Sequence, residues 1–310
     1  MKIVIIGAGA LGSLVGGRLA QSGQDVTLYN SSNQEHIHKI QHESLILETP
    51  ENTSRVALRA TTQASELGGY DLAIILVKAY STKVAVNDVR DCLKNSCFVL
   101  SLQNGYGFEP EILQHVQAEK FLRGTTTQGA TLVRPGQVRQ AGQGLTYLGF
   151  WQRESISEEL QKIVQIFNQA GLMAQYAANI REHVWSKLIV NSAINPLAAL
   201  FDVPNGELLE REKLRELLHS VTRESVTIAN GAGFAFTVET FIARVEEVCK
   251  RTAQNINSML QDVRQKKPTE IDFINGAIVQ EARRLNLDAP LNQLLLELVR
   301  RQSHLPIPRV

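Results

Sequence analysis

The chain has 310 residues, 44% of them apolar and 20% charged, with a formal net charge of +1. That length buries a sizeable core in about two domains, and the near-neutral balance gives no global pull toward nucleic acid or a membrane surface. Cys92, Cys97 and Cys249 lack zinc-ligand spacing and a CxxC, which suits a reducing cytoplasm better than a disulfide framework and points to no metal site.

Lys2 followed by Ile3–Ile6 mimics the opening of a secretory signal, but a glycine turn ends the apolar stretch at once. No run reaches the roughly 20 apolar residues of a membrane helix, so a soluble, cytoplasmic chain is expected.

In chain order, Lys2–Ile6 reads as a buried strand, Ala10–Ser22 as a helix ended by Gly23, and Val26–Tyr29 as a second strand. Leu72–Val77 and Phe98–Leu102 are further apolar runs of strand length, each followed by helix-like sequence. Such short connections predict βαβ units and a mainly parallel sheet covered on both faces. Between Phe121 and Phe150, repeated glycines punctuate β-like pieces, which predicts an antiparallel edge or hairpins finishing that sheet. Ser157–Ala170 reads as a helix closing at Gly171, with a last strand near Met173–Tyr176.

Beyond Asn179 the strand signal stops. Arg181–Leu200, Glu207–Asn230, Val238–Lys266, Glu270–Leu285 and Leu291–Gln302 carry helical spacing of apolar residues. The expected organisation is an α/β domain over residues 1–178 and an all-helical domain over residues 179–310.

Gly7-Ala8-Gly9-Ala10-Leu11-Gly12 lies directly between the first strand and the first helix. In that setting the first glycine permits the tight turn, the second lets the backbone approach a pyrophosphate, and the third allows close helix–strand packing. The helix N-terminus then presents N–H groups to the phosphates. The first domain is therefore expected to be of the dinucleotide-binding Rossmann type. At the end of the second strand, Tyr29-Asn30-Ser31-Ser32-Asn33 holds neither the acid that favours NAD nor the arginine that favours NADP. The missing carboxylate favours NADP(H), with His36, His38 and Lys39 as candidates to add positive charge.

In the helical half, Lys187, Asn191 and Asn195 recur at i, i+4, i+8 among apolar neighbours. Asparagine is a poor helix former, so this row suits something other than stability, although both amides could also serve the core. Reduction of a ketone needs a proton delivered to oxygen, which a lysine ammonium supplies while stabilising the developing alkoxide. Amides orient a carbonyl without adding charge. On a helix continuing through Met259–Asp262, Asn255 and Ser258 are i, i+3 neighbours, and Lys267–Glu270 starts the next helix. Glu270 could equally be a first-turn carboxylate favoured by the helix dipole.

Taken together, these segments resemble the ketopantoate reductase (2-dehydropantoate 2-reductase) family over essentially the whole chain. The resemblance is carried by the GAGALG turn, Val77-Lys78-Ala79-Tyr80, Leu102-Gln103-Asn104-Gly105, Gly124–Thr127, Trp185-Ser186-Lys187-Leu188, Asn191, Ile194-Asn195-Pro196-Leu197 and Pro204-Asn205-Gly206-Glu207. It continues through Asn255–Asp262 and Thr269–Gly276. It implies NADPH-dependent reduction of 2-dehydropantoate to (R)-pantoate, toward pantothenate and coenzyme A, in a monomer or homodimer. By position it implies Lys187 as proton donor, with Asn191, Asn195, Asn205 and Ser258 holding substrate and Asn255 supporting them. Asn104 would sit where nicotinamide and substrate meet. Gly7, Ala8, Gly9, Ala10, Leu11, Gly12, Lys78, the backbone at Ala130, and Glu270 would contact the cofactor. Where many members carry an arginine for the 2′-phosphate this chain has Ser31, which weakens the inference of NADP over NAD. A reductase of another 2-keto acid or ester, or a non-catalytic NADP(H) sensor, are the rival readings.

Overall fold

A computed structural model describes residues 1–304, which fall into two compact units. One comprises Met1–Gln103 with Phe108–His183; the other comprises Asn104–Gly107 and the chain from Val184 onward. The division thus lies between His183 and Val184, inside a helix, and a four-residue segment from the first half of the chain belongs to the second unit.

In the first unit the strands are β1 (Lys2–Ile6), β2 (Asp25–Tyr29), β3 (Leu45–Glu48), β4 (Thr53–Val56), β5 (Arg59–Thr61) and β6 (Leu72–Ile75). They continue with β7 (Phe98–Ser101), β8 (Phe121–Thr126), β9 (Gly129–Arg134), β10 (Gln137–Gly142), β11 (Thr146–Phe150) and β12 (Ala174–Tyr176). Its helices are α1 (Ala10–Gln21), α2 (Gln34–Glu43), α3 (Thr82–Asp88), α4 (Arg90–Asn95), α5 (Glu109–Leu113) and α6 (Glu158–Gln169). The main sheet has the order β12-β11-β8-β7-β6-β1-β2-β5 and is parallel except where β11 meets β8. Strands β1 and β6 are buried at nearly every position because helices cover both faces, which is why they read as unbroken apolar runs. Strand order reverses beside β1, so the loops after β1 and β6 flank the switch point where ligands bind such sheets.

The hairpin between Phe121 and Phe150 does not simply finish that sheet. Strands β8 and β11 join it, whereas β9 and β10 pair with β3 and β4 in a separate sheet of order β4-β3-β10-β9. Leu45, Leu47, Val56 and Val138 from this second sheet share one apolar cluster with Leu14, Val15 and Leu19 of α1. Helix α1 is therefore buried over most of its surface, Gly12 to Gly17 without a break, as a helix covered on both sides must be.

The second unit contains α7 (Ile180–Phe201, whose first turn belongs to the other unit), α8 (Glu207–Glu210), α9 (Glu212–Gly231), α10 (Val238–Arg251), α11 (Ser258–Arg264), α12 (Asn275–Arg284) and α13 (Pro290–His304). Two helices expected as continuous are broken. Extended Arg211 separates α8 from α9, and residues 252–257 form a loop before α11. Glu270 precedes a 3-10 turn, Ile271–Phe273, and α12 begins only at Asn275. Helix α7 is, contrary to the sequence reading, long and apolar enough to cross a membrane, but 72% of its apolar stretch is buried inside the protein.

Candidate active site

The glycine turn closes on itself through backbone contacts. The N–H groups of Gly7 and Ala8 both donate to the Tyr29 carbonyl, at 2.9 and 3.1 Å, tying the turn to the end of β2. Gly7 has φ +102°, and a Cβ there would come 2.5 Å from the Val77 nitrogen. At Gly12 a Cβ would lie 2.2 Å from the Gly7 carbonyl oxygen. Gly9 is different: its backbone is extended, and a Cβ would meet nothing within 4 Å. Nothing in the protein demands glycine there, so the open space in front of it fits the close approach of a ligand. Helix α1, which starts at the next residue, has no side-chain cap and no acid in its first turn. An uncapped, acid-free helix N-terminus beside an open glycine fits a pyrophosphate.

Beyond β2, the Asn30 side-chain oxygen accepts from Ser32 N–H (3.0 Å), Ser32 Oγ (2.9 Å) and Asn33 N–H (3.1 Å). Asn33 in turn caps α2, and Ser31 and Ser32 are exposed. His36 does not add positive charge. It is fully buried, its Nδ1 accepts the Gly136 N–H at 2.9 Å, and the remaining Nε2–H therefore donates to Ser13 Oγ at 2.8 Å. Burial pushes its pKa down to about 4. Lys39 pairs with Glu43 at 2.6 Å, and the His38 ring packs edge-on against His42.

Half-buried Lys78 follows β6 and precedes a 3-10 turn at Ala79–Ser81. Its loop is held by Gln103, whose amide donates to the Val77 carbonyl (3.0 Å) and Thr82 Oγ1 (2.7 Å) and accepts from Ser101 Oγ (3.0 Å). Buried Arg123 donates to the carbonyls of Ser101, Gln103 and Gly124 and to Glu109 Oε1 at 2.9 Å. Sequence reasoning missed both supports; Gln103 was visible only inside a motif, and nothing local marks Arg123 as buried. Ala130 lies in β9, partly buried against the same core as α1.

In the helical unit the Lys187 amine donates to the Asn104 side-chain oxygen at 2.7 Å. Asn104 is held here because Gly105, at φ +86°, brings Tyr106 N–H to the Phe273 carbonyl at 2.9 Å. The Tyr106 ring packs on Trp185, two residues before the lysine. One and two turns along α7 come Asn191, half-buried, and Asn195, only 7% exposed. Among the described residues neither amide makes a hydrogen bond. Neither is among the fully buried unpartnered polar atoms, so both amides keep access to water or a ligand.

Asn205 is committed inside the protein. Its Nδ2 donates to Thr252 Oγ1 at 2.9 Å, its Oδ1 accepts from Asn257 Nδ2 at 3.0 Å, and its N–H donates to the Asn255 carbonyl at 3.2 Å. Asn257, which the sequence reading did not single out, also caps α11. Asn255 is therefore in a loop and Ser258 opens α11, both exposed, rather than neighbours on one helix face. Glu270 is buried at 5% exposure ahead of the 3-10 turn, not in the first turn of α12. Among the described residues no group of three or more His, Cys, Asp or Glu could hold a metal ion.

A Rossmann-type unit with an open glycine turn, and a helical unit with an amine and two unpartnered amides along one helix, are the features of a nicotinamide-dependent reductase. The model described as ketopantoate reductase PanE/ApbA matches residues 3–153, and its C-terminal counterpart matches residues 179–303. The 2-dehydropantoate 2-reductase of Pyrococcus horikoshii is 40% identical over 305 residues, 98% of each chain. Among solved structures, D-mandelate dehydrogenase with NADH and anilino(oxo)acetate superposes with TM-score 0.91 at 30% identity, covering 98% of this chain and 99% of that one. A PanE/ApbA family ketopantoate reductase from Ralstonia eutropha gives TM-score 0.89 at 28% identity, with the same coverage. This chain belongs to the ketopantoate reductase family.

Proposed function

We propose that this protein reduces 2-dehydropantoate to (R)-pantoate with NADPH, in the route to pantothenate and coenzyme A. The observation that carries the reading is the row on α7: an amine fixed at 2.7 Å from the Asn104 amide oxygen, followed by two uncommitted amides. The nicotinamide, when bound, supplies hydride to the keto carbon. Lys187 delivers a proton from Nζ to the keto oxygen as that oxygen gains charge, and Asn104 restrains the amine in place. Asn191, Asn195 and Ser258 orient the substrate by hydrogen bonds, and Asn205 with Asn257 holds the loop that carries Asn255 to Ser258. Gly7–Gly12 take the pyrophosphate, with Lys78, the Ala130 backbone and Glu270 as further cofactor contacts. At the ribose, the exposed hydroxyls of Ser31 and Ser32 accommodate a 2′-phosphate without an arginine, so the preference for NADPH over NADH is modest, about tenfold or less. The three cysteines, all unpaired, support a cytoplasmic setting.

One finding favours a second reading. The D-mandelate dehydrogenase structure carries NADH and is 30% identical, so an NADH-linked reductase of a bulkier 2-keto acid is the alternative. A pure NADP(H) sensor would not need the amine and amides of α7.

The test is cofactor oxidation with 2-dehydropantoate and with an aryl 2-keto acid, each with NADPH and NADH. Turnover of 2-dehydropantoate is expected, and Lys187→Ala should lower kcat by about 100-fold or more. Turnover of the aryl acid alone would move the assignment to the second reading. A Lys187→Ala protein with near-normal kcat would remove Lys187 from the chemistry.

A further inference from the structure

Pro196 lies inside α7, immediately after Asn195. In an α-helix the N–H of residue 196 would bond the carbonyl of residue 192, and proline has no N–H to give. The orphaned Ser192 carbonyl is nevertheless satisfied: Asn275 Nδ2 donates to it at 3.0 Å. The same Nδ2 donates to Asn292 Oδ1 at 2.9 Å. Asn292 Nδ2 donates onward to Glu224 Oε1 (2.8 Å) and Ser225 Oγ (3.2 Å). Ser192, Ser225, Asn275 and Asn292 are all fully buried.

The direction of this chain is set at its far end. The Glu224 carboxylate also receives the backbone N–H groups of Leu291 and Asn292, at 2.9 and 2.8 Å, so it acts throughout as an acceptor. The Asn292 amide must then face it with nitrogen, which turns the Asn292 oxygen toward Asn275. Asn275 must answer with nitrogen, and its donors are thereby aimed at Ser192. The Asn275 oxygen is left buried with no partner. Leaving that acceptor unmet is tolerable only because the donor end is what the position requires.

We propose that Asn275, oriented by Asn292 and Glu224, is a positioning residue that stands in for the missing N–H of Pro196. It holds the turn of α7 running from Asn191 to Asn195 in helical form, and so keeps the two amides in register with Lys187. Without it, a proline and an unsatisfied carbonyl in the same turn would let the helix open there. This role rests on the reading of Asn191 and Asn195 as substrate groups.

The test crosses Asn275→Leu with Pro196→Ala, since alanine restores the N–H that Ser192 needs. Melting temperatures and the kinetic constants of wild type, both single variants and the double variant are measured. Asn275→Leu should raise KM for 2-dehydropantoate about tenfold, the scale of a lost buried hydrogen bond, while KM for NADPH stays within about twofold. In the Pro196→Ala background both the KM increase and the melting loss should shrink by at least half. Equal losses in the two backgrounds, or equal rises in both KM values, overturn the positioning role. Folding of Asn275→Leu only alongside Pro196→Ala is the same rescue. Glu224→Gln supplies a second variant that keeps shape but frees the amide direction; it should show a smaller KM increase of the same kind, and a wild-type KM there overturns the orienting chain. The coupling in melting temperature needs no turnover, so a wild type inactive on 2-dehydropantoate sinks the substrate reading alone, and additive substitutions sink this one alone.

Discussion

Gly9 and Gly12 stand one helical turn apart, yet they answer to different constraints. At Gly12 a side chain would run into the Gly7 carbonyl at 2.2 Å, a backbone contact that cannot swing aside. At Gly9 a methyl group would enter open space. Gly12→Ala should therefore lower the melting temperature by about 5 °C or more, in line with overpacking costs. Gly9→Ala should leave melting within about 1 °C of wild type and weaken NADPH binding about tenfold, read by quenching of intrinsic fluorescence. An alanine at position 9 that binds normally would show that the phosphates lie elsewhere. The glycine fingerprint in the sequence already assigned the second glycine to ligand approach and the third to close packing. The tertiary structure adds what each position meets, a backbone carbonyl at Gly12 and open space at Gly9, and neither has a local signature.

Among the elements, β7, β8 and α5 meet on one buried ion pair. Arg123 and Glu109 are both almost wholly excluded from water, and burial pulls the Arg123 pKa down while the Glu109 carboxylate opposes that shift. Arg123 also caps the carbonyls at the end of β7, including that of Gln103, the residue before Asn104. Removing one partner of a buried pair strands a charge, at a cost of about 3–5 kcal/mol. Glu109→Ala should show a loss of this size in urea unfolding, and Arg123→Met a larger one, because three carbonyls also lose their donor. A loss below about 1 kcal/mol for Glu109→Ala would place the pair among weakly contributing surface contacts. Within the elements themselves, apolar runs located β1, β2, β6 and β7 well. They did not locate β3, β4 and β5, which mix polar and apolar residues and are only partly buried, nor the break after α10, where Asn205 and Asn257 hold a loop.

For the molecule as a whole, two buried groups shape the acid side of stability. The His36 pKa is pushed down to about 4 from an ordinary 6.5, so between those values only the unfolded chain takes up the proton. Stability should therefore fall as pH falls from 6.5 to 4. Glu246 accepts from Arg215 at 2.7 Å and from His219 at 2.8 Å, and chiefly the Arg215 bond pulls its pKa to about 2 from 4.5. Its contribution is complete above pH 4.5 and is lost as pH falls through 2. Thermal melts across pH should show both limbs. His36→Leu should flatten the upper limb and Glu246→Gln the lower, each melting about 2–6 °C below wild type at pH 7. A His36→Leu protein with the wild-type slope between pH 6.5 and 4 would assign that limb to other groups.

Local patterning was enough for the two-part architecture, the glycine turn between β1 and α1 and the helical row Lys187–Asn191–Asn195, because strand runs, helical periodicity and a glycine fingerprint are written in neighbouring residues. Contacts between distant residues settled the rest. Asn104 belongs with the helices because Gly105 and Tyr106 bind Phe273; His36 is neutral because the Gly136 N–H claims one ring nitrogen; Pro196 is tolerated mid-helix because Asn275, some 80 residues on, supplies the missing donor. Each of these is a hydrogen bond to a specific backbone group, and such a bond leaves no periodic trace along the chain.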